Sequence, residues 1–203
     1  RCRFGDLSPS QRAAEIGDYC TVRDEIPAHG ETIAWCVAED LEGKRRYLPH
    51  PLVSLDYTTG LPSPFERISG GLGAGATEAE ATRTALFELV ERDALGEWQR
   101  LPEPTRQHSS LALDSVPFGW FQEWRARLEA LGIRLDAYQL HSFTGVPAFS
   151  CTIGGAEAFG SAWRRFYGTA AHGDPEVALF KALAEAVQSR LTAIAGVRDD
   201  ILP

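Results

Sequence analysis

The chain has 203 residues, enough for one packed domain, and 44% of them are hydrophobic, so a buried core is expected rather than disorder. The formal net charge of -8, with scattered Lys and Arg, argues against a nucleic-acid-binding surface. No apolar run reaches the length of a membrane span, and no secretory signal begins the chain. These features favour a cytoplasmic protein without membrane or nucleic-acid contacts.

The four cysteines form no C-x-x-C pair; they are Cys2, Cys20, Cys36 and Cys151. A disulfide framework or a zinc site is therefore not expected, and lone thiols of this kind usually pack as small core hydrophobes. The sequence also contains no methionine and begins at Arg1. It is interpreted either as a fragment or as a sequence from which modified methionines were left out.

The first half of the chain predicts helices separated by a β-hairpin. Ser8 and Pro9 predict a helix start, with the helix over residues 8–19. Alternation predicts strands at Thr32–Glu39 and near Arg46–Leu48, joined by a glycine-containing turn. A longer helix is expected over residues 78–98, and a proline-containing loop over residues 102–110.

The second half predicts two more helices and two more strands. Apolar residues recur at helical spacing over residues 118–131, and Gly132 ends this helix; the stripe consists of Phe121, Trp124, Leu128 and Leu131. Strands are expected at Ile133–Leu140 and Val146–Ile153. Asp174 is a suitable cap for the last helix. Together these elements predict an α+β domain in which antiparallel strand pairs pack against helices.

The segment SGGLGAGATEAEATRTALFELVERDA, from Ser69 to Ala94, carries the strongest chemical signal. A glycine-rich turn leads into a helix on which four charged residues lie close to one face: Glu80, Glu88, Glu91 and Arg92. Like charges at helical spacing repel one another by a few tenths of a kcal/mol. A magnesium–phosphate ligand would relieve that repulsion.

Each of these residues also has a purely structural interpretation. Thr77 and Glu80 fit a capping box at the helix start. Glu88 and Arg92 fit a surface ion pair of favourable order, worth a few tenths of a kcal/mol. The glycines fit an ordinary loop-to-helix turn, since no P-loop lysine follows them. The residues alone therefore leave both interpretations open.

The same segment resembles the YcaO family, whose nucleotide motif is S-x6-E-x3-Q followed by E-x2-E-R. Glu80 stands at the first glutamate, the E-x2-E-R spacing is filled by Glu88, Glu91 and Arg92, and Gly73 and Thr84 replace the serine and the glutamine. A second segment, residues 168–200, resembles the family's later helix, where Glu185, Gln188 and Arg190 fill an E-x2-Q-x-R pattern. A solvated polar helix face is the alternative for these three residues.

The resemblance implies a YcaO-like α+β fold and ATP- and Mg2+-dependent activation of peptide backbone amides by phosphorylation. It implies metal ligation by Glu80, Glu88 and Glu91, with further nucleotide contacts from Arg92, Glu185, Gln188 and Arg190. No catalytic nucleophile set is visible, so the catalytic residues stay unassigned. His172 is interpreted as structural or as a support for site residues.

The resemblance also implies partners and products. The ending AIAGVRDD is similar to YcaO proteins that work beside a TfuA-type partner, which favours thioamide over azoline formation. A peptide or protein substrate is implied, and a homodimer stays open. The family's first nucleotide motif, S-x3-E-x2-E-R, has no match before Ser69, so residues 1–203 are expected to form part of a YcaO-like domain. A nucleotide-free scaffold or peptide-docking module is the alternative function.

Overall fold

The structure is a computed structural model that describes residues 1–19, 31–56, 58, 64–155 and 165–195. Its contacts group the chain into two compact units, residues 1–72 and residues 73–203. In the described part of the chain, no helix combines the length and apolarity needed to cross a lipid bilayer.

The first unit contains two small antiparallel sheets. Strand β1 (Cys2–Arg3) pairs with β2 (Thr32–Ile33), and β3 (Trp35–Glu39) pairs with β4 (Arg45–Pro49). Gly43 turns the β3–β4 hairpin at φ 76°, a left-handed conformation that glycine adopts without strain. The predicted hairpin is therefore confirmed, but the predicted strand Thr32–Glu39 is divided into β2 and β3, which pair in different sheets. A short helix, α1 (His50–Val53), follows the hairpin.

The predicted helix over residues 8–19 is wrong. This segment instead forms turns and one short 3-10 helix, Ile16–Asp18. Backbone groups that a helix would pair internally are bonded elsewhere: the Ala14 N–H donates to the Tyr19 hydroxyl at 3.1 Å, and the Gln11 carbonyl accepts from the Tyr47 N–H at 2.8 Å. Such bonds compete with helix formation.

The second unit is built on a three-stranded antiparallel sheet with strand order β5–β6–β7. The strands are β5 (Ile133–Leu140), β6 (Ala148–Gly155) and β7 (Phe166–Ala171). The first two confirm the predicted strands, with β6 shifted by two residues, whereas β7 was not predicted. Ser150, near the middle of β6, is paired with Tyr138 on one side and Thr169 on the other.

Four helices accompany this sheet. They are α2 (Glu78–Arg100), α3 (Glu103–Gln107), α4 (Gly119–Ala130) and α5 (Pro175–Ala195). Helices α2, α4 and α5 confirm the predicted helices, while α3 lies within the predicted loop. On α4, Phe121 and Leu128 are buried, but Trp124 and Leu131 of the predicted stripe are exposed.

Successive residues of a strand point to opposite faces of the sheet, and helices of the second unit pack on both faces. Helices α4 and α5 form the main core with one face, which includes Phe149, Cys151 and Ile153 of β6. Ala94 of α2 packs against the other face, where it meets Ala148. Beyond Ala148 this second face becomes polar, and the functional cleft described below lies beside it.

Helix α5 lies unusually close to the sheet. A Cβ atom on Gly168 of β7 would lie 2.1 Å from the Ala182 carbonyl oxygen, so only glycine allows this approach. The buried face of α5 confirms its prediction, and consists of Leu179, Ala182, Leu183 and Ala186. The predicted cap is also confirmed, since Asp174 accepts from the Glu176 N–H at 2.9 Å. Glu185 and Gln188 lie outside this buried face and are exposed.

Candidate functional site

The glycine-rich turn packs against the helix that it precedes. A Cβ atom on Gly73 would lie 2.2 Å from the Ala81 carbonyl oxygen, and one on Gly75 would lie 2.6 Å from the Ala81 nitrogen. These glycines are therefore needed for contact with the chain's own helix. The distances also explain why Gly73 replaces the serine of the YcaO pattern, since a side chain here would require the backbone to move.

The start of α2 satisfies its own exposed N–H groups. The Thr77 hydroxyl accepts from the Glu80 N–H at 3.2 Å, as a helix cap does. The Glu80 carboxylate accepts from the Ala76 N–H at 2.9 Å, one residue before the position that a capping box would use. One Glu80 oxygen is thus tied to the backbone at the helix start.

A cleft of about 380 Å³ lies between α2, α5 and β7. Five of the seven predicted site residues line it, three from α2 and two from α5: Glu88, Glu91, Arg92, Glu185 and Gln188. Thr84, which stands at the glutamine position of the YcaO pattern, lies in the same wall. Two sequence segments that are far apart in the chain therefore meet in one site.

Thr169 of β7 joins the two helices of this cleft. Its hydroxyl donates to Oε1 of Glu91 at 2.6 Å, and its backbone N–H donates to Oε2 of Glu185 at 2.8 Å. One strand residue therefore orients a carboxylate from α2 and a carboxylate from α5. The bond to Glu185 also satisfies a backbone donor of β7, the last strand in the described sheet.

The electrostatics of the cleft centre on Glu91. Burial raises the pKa of its carboxyl above the ordinary value, and the nearby charges of Glu185 and Glu88 raise it further. The hydrogen bond from Thr169 and the charge of Arg92 act in the opposite direction. The net upward shift indicates a carboxylate that is held ionised only at a cost and would gain from a bound cation.

The cleft contains cations as well as carboxylates. Arg92 Nε lies 3.8 Å from Glu88 Oε1, a loose pair in which the Arg92 side chain is 55% exposed. Lys181 of α5 also lines the cleft. Three carboxylates therefore face two basic side chains, a donor set that suits a metal ion together with a polyanion.

Two predicted site residues lie outside this cleft. Glu80 is not part of its lining, because its carboxylate is bound to the backbone at the start of α2. Arg190 is also absent from the lining, because five residues of helix turn it about 140° away from Glu185. The cleft lining therefore contains five of the seven predicted site residues, and the roles of all seven stay predictions.

The described residues contain no preformed cluster of three metal ligands. Within the described residues, no group of three or more His, Cys, Asp or Glu side chains is arranged to hold a metal ion. Mg2+ in phosphate sites is commonly bound by one or two carboxylates plus the phosphates themselves. Glu88 and Glu91 fit that requirement, since both line the cleft.

Sequence reasoning missed Thr169 and Lys181. Thr169 lies 78 residues from Glu91 along the chain, in a strand that was not predicted, so no local pattern connected the two. The position of His172 agrees with its structural interpretation: its Nδ1 accepts from the Asp174 N–H at 3.1 Å, and its ring lies 4.9 Å from that of Phe87.

Comparison with known proteins identifies the family to which the chain belongs. The family described as "YcaO cyclodehydratase, ATP-ad Mg2+-binding" matches residues 8–203. The chain therefore belongs to the YcaO family, and its α+β fold agrees with that membership. It is 38% identical over 187 residues to an "Uncharacterized protein in tfuA 3'region" of Rhizobium leguminosarum bv. trifolii.

Two solved structures share the fold of this chain, and their sequence identities to it are close to each other. A structure titled "Heterocyclase in complex with substrate and Cofactor" matches with a TM-score of 0.68 and 29% identity, over 85% of this chain and 22% of that one. "Structure of the heterocyclase TruD" matches with a TM-score of 0.62 and 28% identity, over 83% of this chain and 23% of that one. The match with the Rhizobium relative covers 89% of this chain but only 44% of the relative, so the chain spans less than half of the relative's length.

Proposed function

We propose that this chain contributes to ATP- and Mg2+-dependent activation of peptide backbone amides for post-translational modification. The observation that carries the proposal is the cleft that brings Glu88 and Glu91 of α2 together with Glu185 of α5. This cleft occurs in a member of a family described as binding ATP and Mg2+. The heterocyclase structures that share its fold support the same reaction class.

The residues of the cleft divide into metal and phosphate contacts. Glu88 and Glu91 would hold Mg2+, and Glu80 would add a contact through the carboxylate oxygen that does not accept from Ala76. Arg92 and Lys181 would neutralise phosphate oxygens, as basic side chains do in phosphoryl-transfer sites. Gln188 would donate or accept a hydrogen bond through its amide. Arg190, which lies outside the cleft, keeps its nucleotide role on the family resemblance alone.

The chemistry needs positioning and charge neutralisation more than a protein nucleophile. ATP, when bound, supplies the phosphoryl group. An external nucleophile adds to the amide carbon, the amide oxygen takes the terminal phosphoryl group, and ADP leaves. Inorganic phosphate then departs with the former amide oxygen. The chain's own part is to orient Glu91 through Thr169 and to offset the charge that develops on the transferred group.

The proposed product is a thioamide, in which sulfide is the external nucleophile, rather than an azoline. The support is the Rhizobium relative, whose name places it in a tfuA 3′ region. The same relative supports a TfuA-type partner protein. Mass spectrometry of a peptide modified by the full-length protein separates the products, because a thioamide exchanges oxygen for sulfur and an azoline loses water. A loss of water would overturn the thioamide assignment.

A nucleotide-free docking module is the second candidate function. It is favoured by the two departures from the YcaO pattern, Gly73 and Thr84. This candidate predicts a folded protein that binds peptide or a partner protein and shows no protection by Mg-ATP.

Isothermal titration of the full-length protein with Mg-ATP tests the proposal. We expect Glu88→Gln and Glu91→Gln to weaken Mg-ATP binding at least tenfold, because each removes one carboxylate charge and keeps the side-chain shape. Glu97→Gln is the matched control, since Glu97 lies on the same helix in an exposed pair with Arg100. Absence of binding by the folded unmodified protein, or equal binding by all three variants, would contradict the metal role.

A further inference from the structure

A second cleft, of about 330 Å³, adjoins the first through Thr169, which lines both. We call it the sheet-face cleft and define it by five residues on the polar face of the sheet and one on α2: Tyr138, Ser150, Thr152, Tyr167, Thr169 and Trp98. None of these six residues matches the YcaO motifs identified in the sequence. The cleft is therefore a structural feature that the nucleotide chemistry does not account for.

Two buried hydroxyls point to a ligand for this cleft. Ser150 and Thr152 are 4% and 7% exposed and are the buried polar residues of the described core. Both line the cleft, and neither hydroxyl has a hydrogen-bond partner among the residues that the structure describes. Buried polar side chains are normally hydrogen-bonded, and these two hydroxyls are not sealed off from the cleft, since neither is among the fully buried polar atoms that lack a partner in the described chain. Two such hydroxyls side by side on one strand face can therefore pair with a molecule that enters the cleft.

The opposite wall of the cleft is preformed. The Trp98 indole N–H donates to the Ser109 hydroxyl at 2.8 Å, which fixes the ring. Its ring centroid lies 5.2 Å from that of Tyr138, and the Arg106 guanidinium lies 5.2 Å above it. A ligand would therefore find its pocket already shaped, which reduces the entropy lost on binding.

We propose that the sheet-face cleft binds the backbone of the acceptor peptide, with Ser150 and Thr152 as its hydrogen-bonding contacts. The inference rests on the proposed function and deepens it by locating the peptide. A hydroxyl both donates and accepts, so it can pair with either the N–H or the C=O of an amide. Ser150 and Thr152 are two residues apart on one strand face, a spacing of about 7 Å, which equals the two-residue repeat of an extended peptide.

The neighbouring edge of the sheet excludes a different binding mode. A peptide could in principle pair with β7 as an added strand. However, the Thr169 N–H already donates to Glu185 at 2.8 Å, and the Tyr167 carbonyl accepts from the Ser189 hydroxyl at 3.1 Å. With these edge groups occupied by α5, the peptide is recognised by side chains on the sheet face.

The position of Thr169 connects peptide binding to amide activation. Its hydroxyl donates to Glu91 in the first cleft, where ATP is proposed to bind, and the same residue lines the sheet-face cleft. Thr169 is paired with Ser150 across β6 and β7, so a backbone amide held at Ser150 lies at the boundary of the two clefts. That arrangement would place the amide oxygen beside the first cleft, where the phosphates of ATP are proposed to bind.

The probe for this inference is acetyl-triglycine N-methylamide, which offers backbone amides and no side chains. Ligand-observed NMR on the full-length protein with saturating Mg-ATP measures its Kd. We expect Ser150→Ala and Thr152→Val each to weaken binding at least fivefold and together at least tenfold, while the Kd for Mg-ATP changes less than twofold. Ser142→Ala is the control, because Ser142 lies in the β5–β6 connection outside both clefts.

Thermal unfolding supplies the second measurement. Because the two hydroxyls lack partners within the described chain, Ser150→Ala and Thr152→Val should leave the melting temperature unchanged or raise it. Loss of peptide binding without loss of stability supports the inference. Unchanged probe binding, no probe binding by the unmodified protein, or weakened Mg-ATP binding in place of peptide binding would overturn it. If the unmodified protein binds the probe but not Mg-ATP, the proposed ATP function fails and the peptide site stands.

Discussion

Thr169 and Glu91 form the contact that connects the sheet of the second unit to the acidic face of α2. The Thr169 hydroxyl donates to Glu91 Oε1 at 2.6 Å, across 78 residues of sequence. Since the backbone N–H of the same threonine holds Glu185, the strand fixes the relative positions of carboxylates from two helices. The acidic pair is therefore oriented by the fold before any ligand binds.

The first prediction concerns the pH dependence that Glu91 imposes on stability. Its pKa is raised in the folded protein by burial and by Glu185 and Glu88, so the folded state binds this proton more tightly than the unfolded state. The free energy of unfolding from this group therefore falls as the pH rises from the unfolded pKa through the folded pKa. Above the folded pKa, Glu91 is ionised in both states, and its contribution to the free energy of unfolding stays at its lowest value.

Glu91→Gln should consequently raise the melting temperature at pH 7 and lose that advantage near pH 4, because the amide keeps an acceptor for Thr169 without the charge. Thermal unfolding of the variant and the unmodified protein, measured side by side from about pH 4 to pH 8, checks this sign. Glu97→Gln, on the exposed side of the same helix, is the control. A variant that is less stable at pH 7 and regains stability at pH 4 would contradict the expectation.

The second prediction compares two glycines with opposite surroundings. A Cβ on Gly168 would meet the Ala182 carbonyl oxygen at 2.1 Å and the Ala186 nitrogen at 2.3 Å, whereas one on Gly96 would meet nothing within 4 Å. Gly168→Ala should lower the free energy of unfolding by about 1–3 kcal/mol or more, as overpacking does. Gly96→Ala, inside α2, should raise it by about 0.5–1 kcal/mol. Urea unfolding of both variants measures the two signs.

The elements that sequence predicted well have strong local signals. Helices α2 and α5 begin at clear caps, Thr77 and Asp174, and both starts were predicted; the end of α2 was predicted within a few residues. The hairpin was found because alternation and a glycine turn coincide at Gly43. The segment 8–19 has equally good cap residues but lacks a helix, because its Ala14 N–H and its Gln11 carbonyl are bonded to the Tyr19 hydroxyl and the Tyr47 N–H instead.

The elements that sequence missed depend on tertiary contacts. Strand β7 carries Gly168 between aromatic and small residues, which weakens its strand pattern, yet that glycine is what permits α5 to approach. The spacing of Glu88 and Glu91 predicted a shared helix face, and the structure places both in one cleft. The threonine that orients Glu91, and the tie of Glu80 to Ala76, depend on contacts that spacing alone does not contain.

The third prediction concerns Cys151. Its side chain lies in the main core at 0% exposure, and burial raises the pKa of the thiol to about 12. Because the thiolate is the reactive form, iodoacetamide at pH 8 should label Cys151 only after unfolding. Peptide mass spectrometry after labelling in buffer and in urea checks this, with the partly exposed Cys2 and Cys36 as internal controls. Labelling of Cys151 in buffer as fast as that of Cys36 would contradict its core position.

The last prediction separates the two roles of Glu80. Its carboxylate accepts from the Ala76 N–H at 2.9 Å, so Glu80→Ala should destabilise the apo protein by about 1 kcal/mol. Glu80→Gln keeps an oxygen acceptor at the same reach and should leave apo stability nearly unchanged. If Glu80 also contacts Mg2+, as proposed, both variants lose most of the rise in melting temperature that Mg-ATP gives the full-length protein, because a ligand stabilises the state that binds it. A Glu80→Gln variant that keeps the full Mg-ATP shift would limit the metal contacts to the cleft residues Glu88 and Glu91, and would leave Glu80 as a residue that only fixes the start of α2.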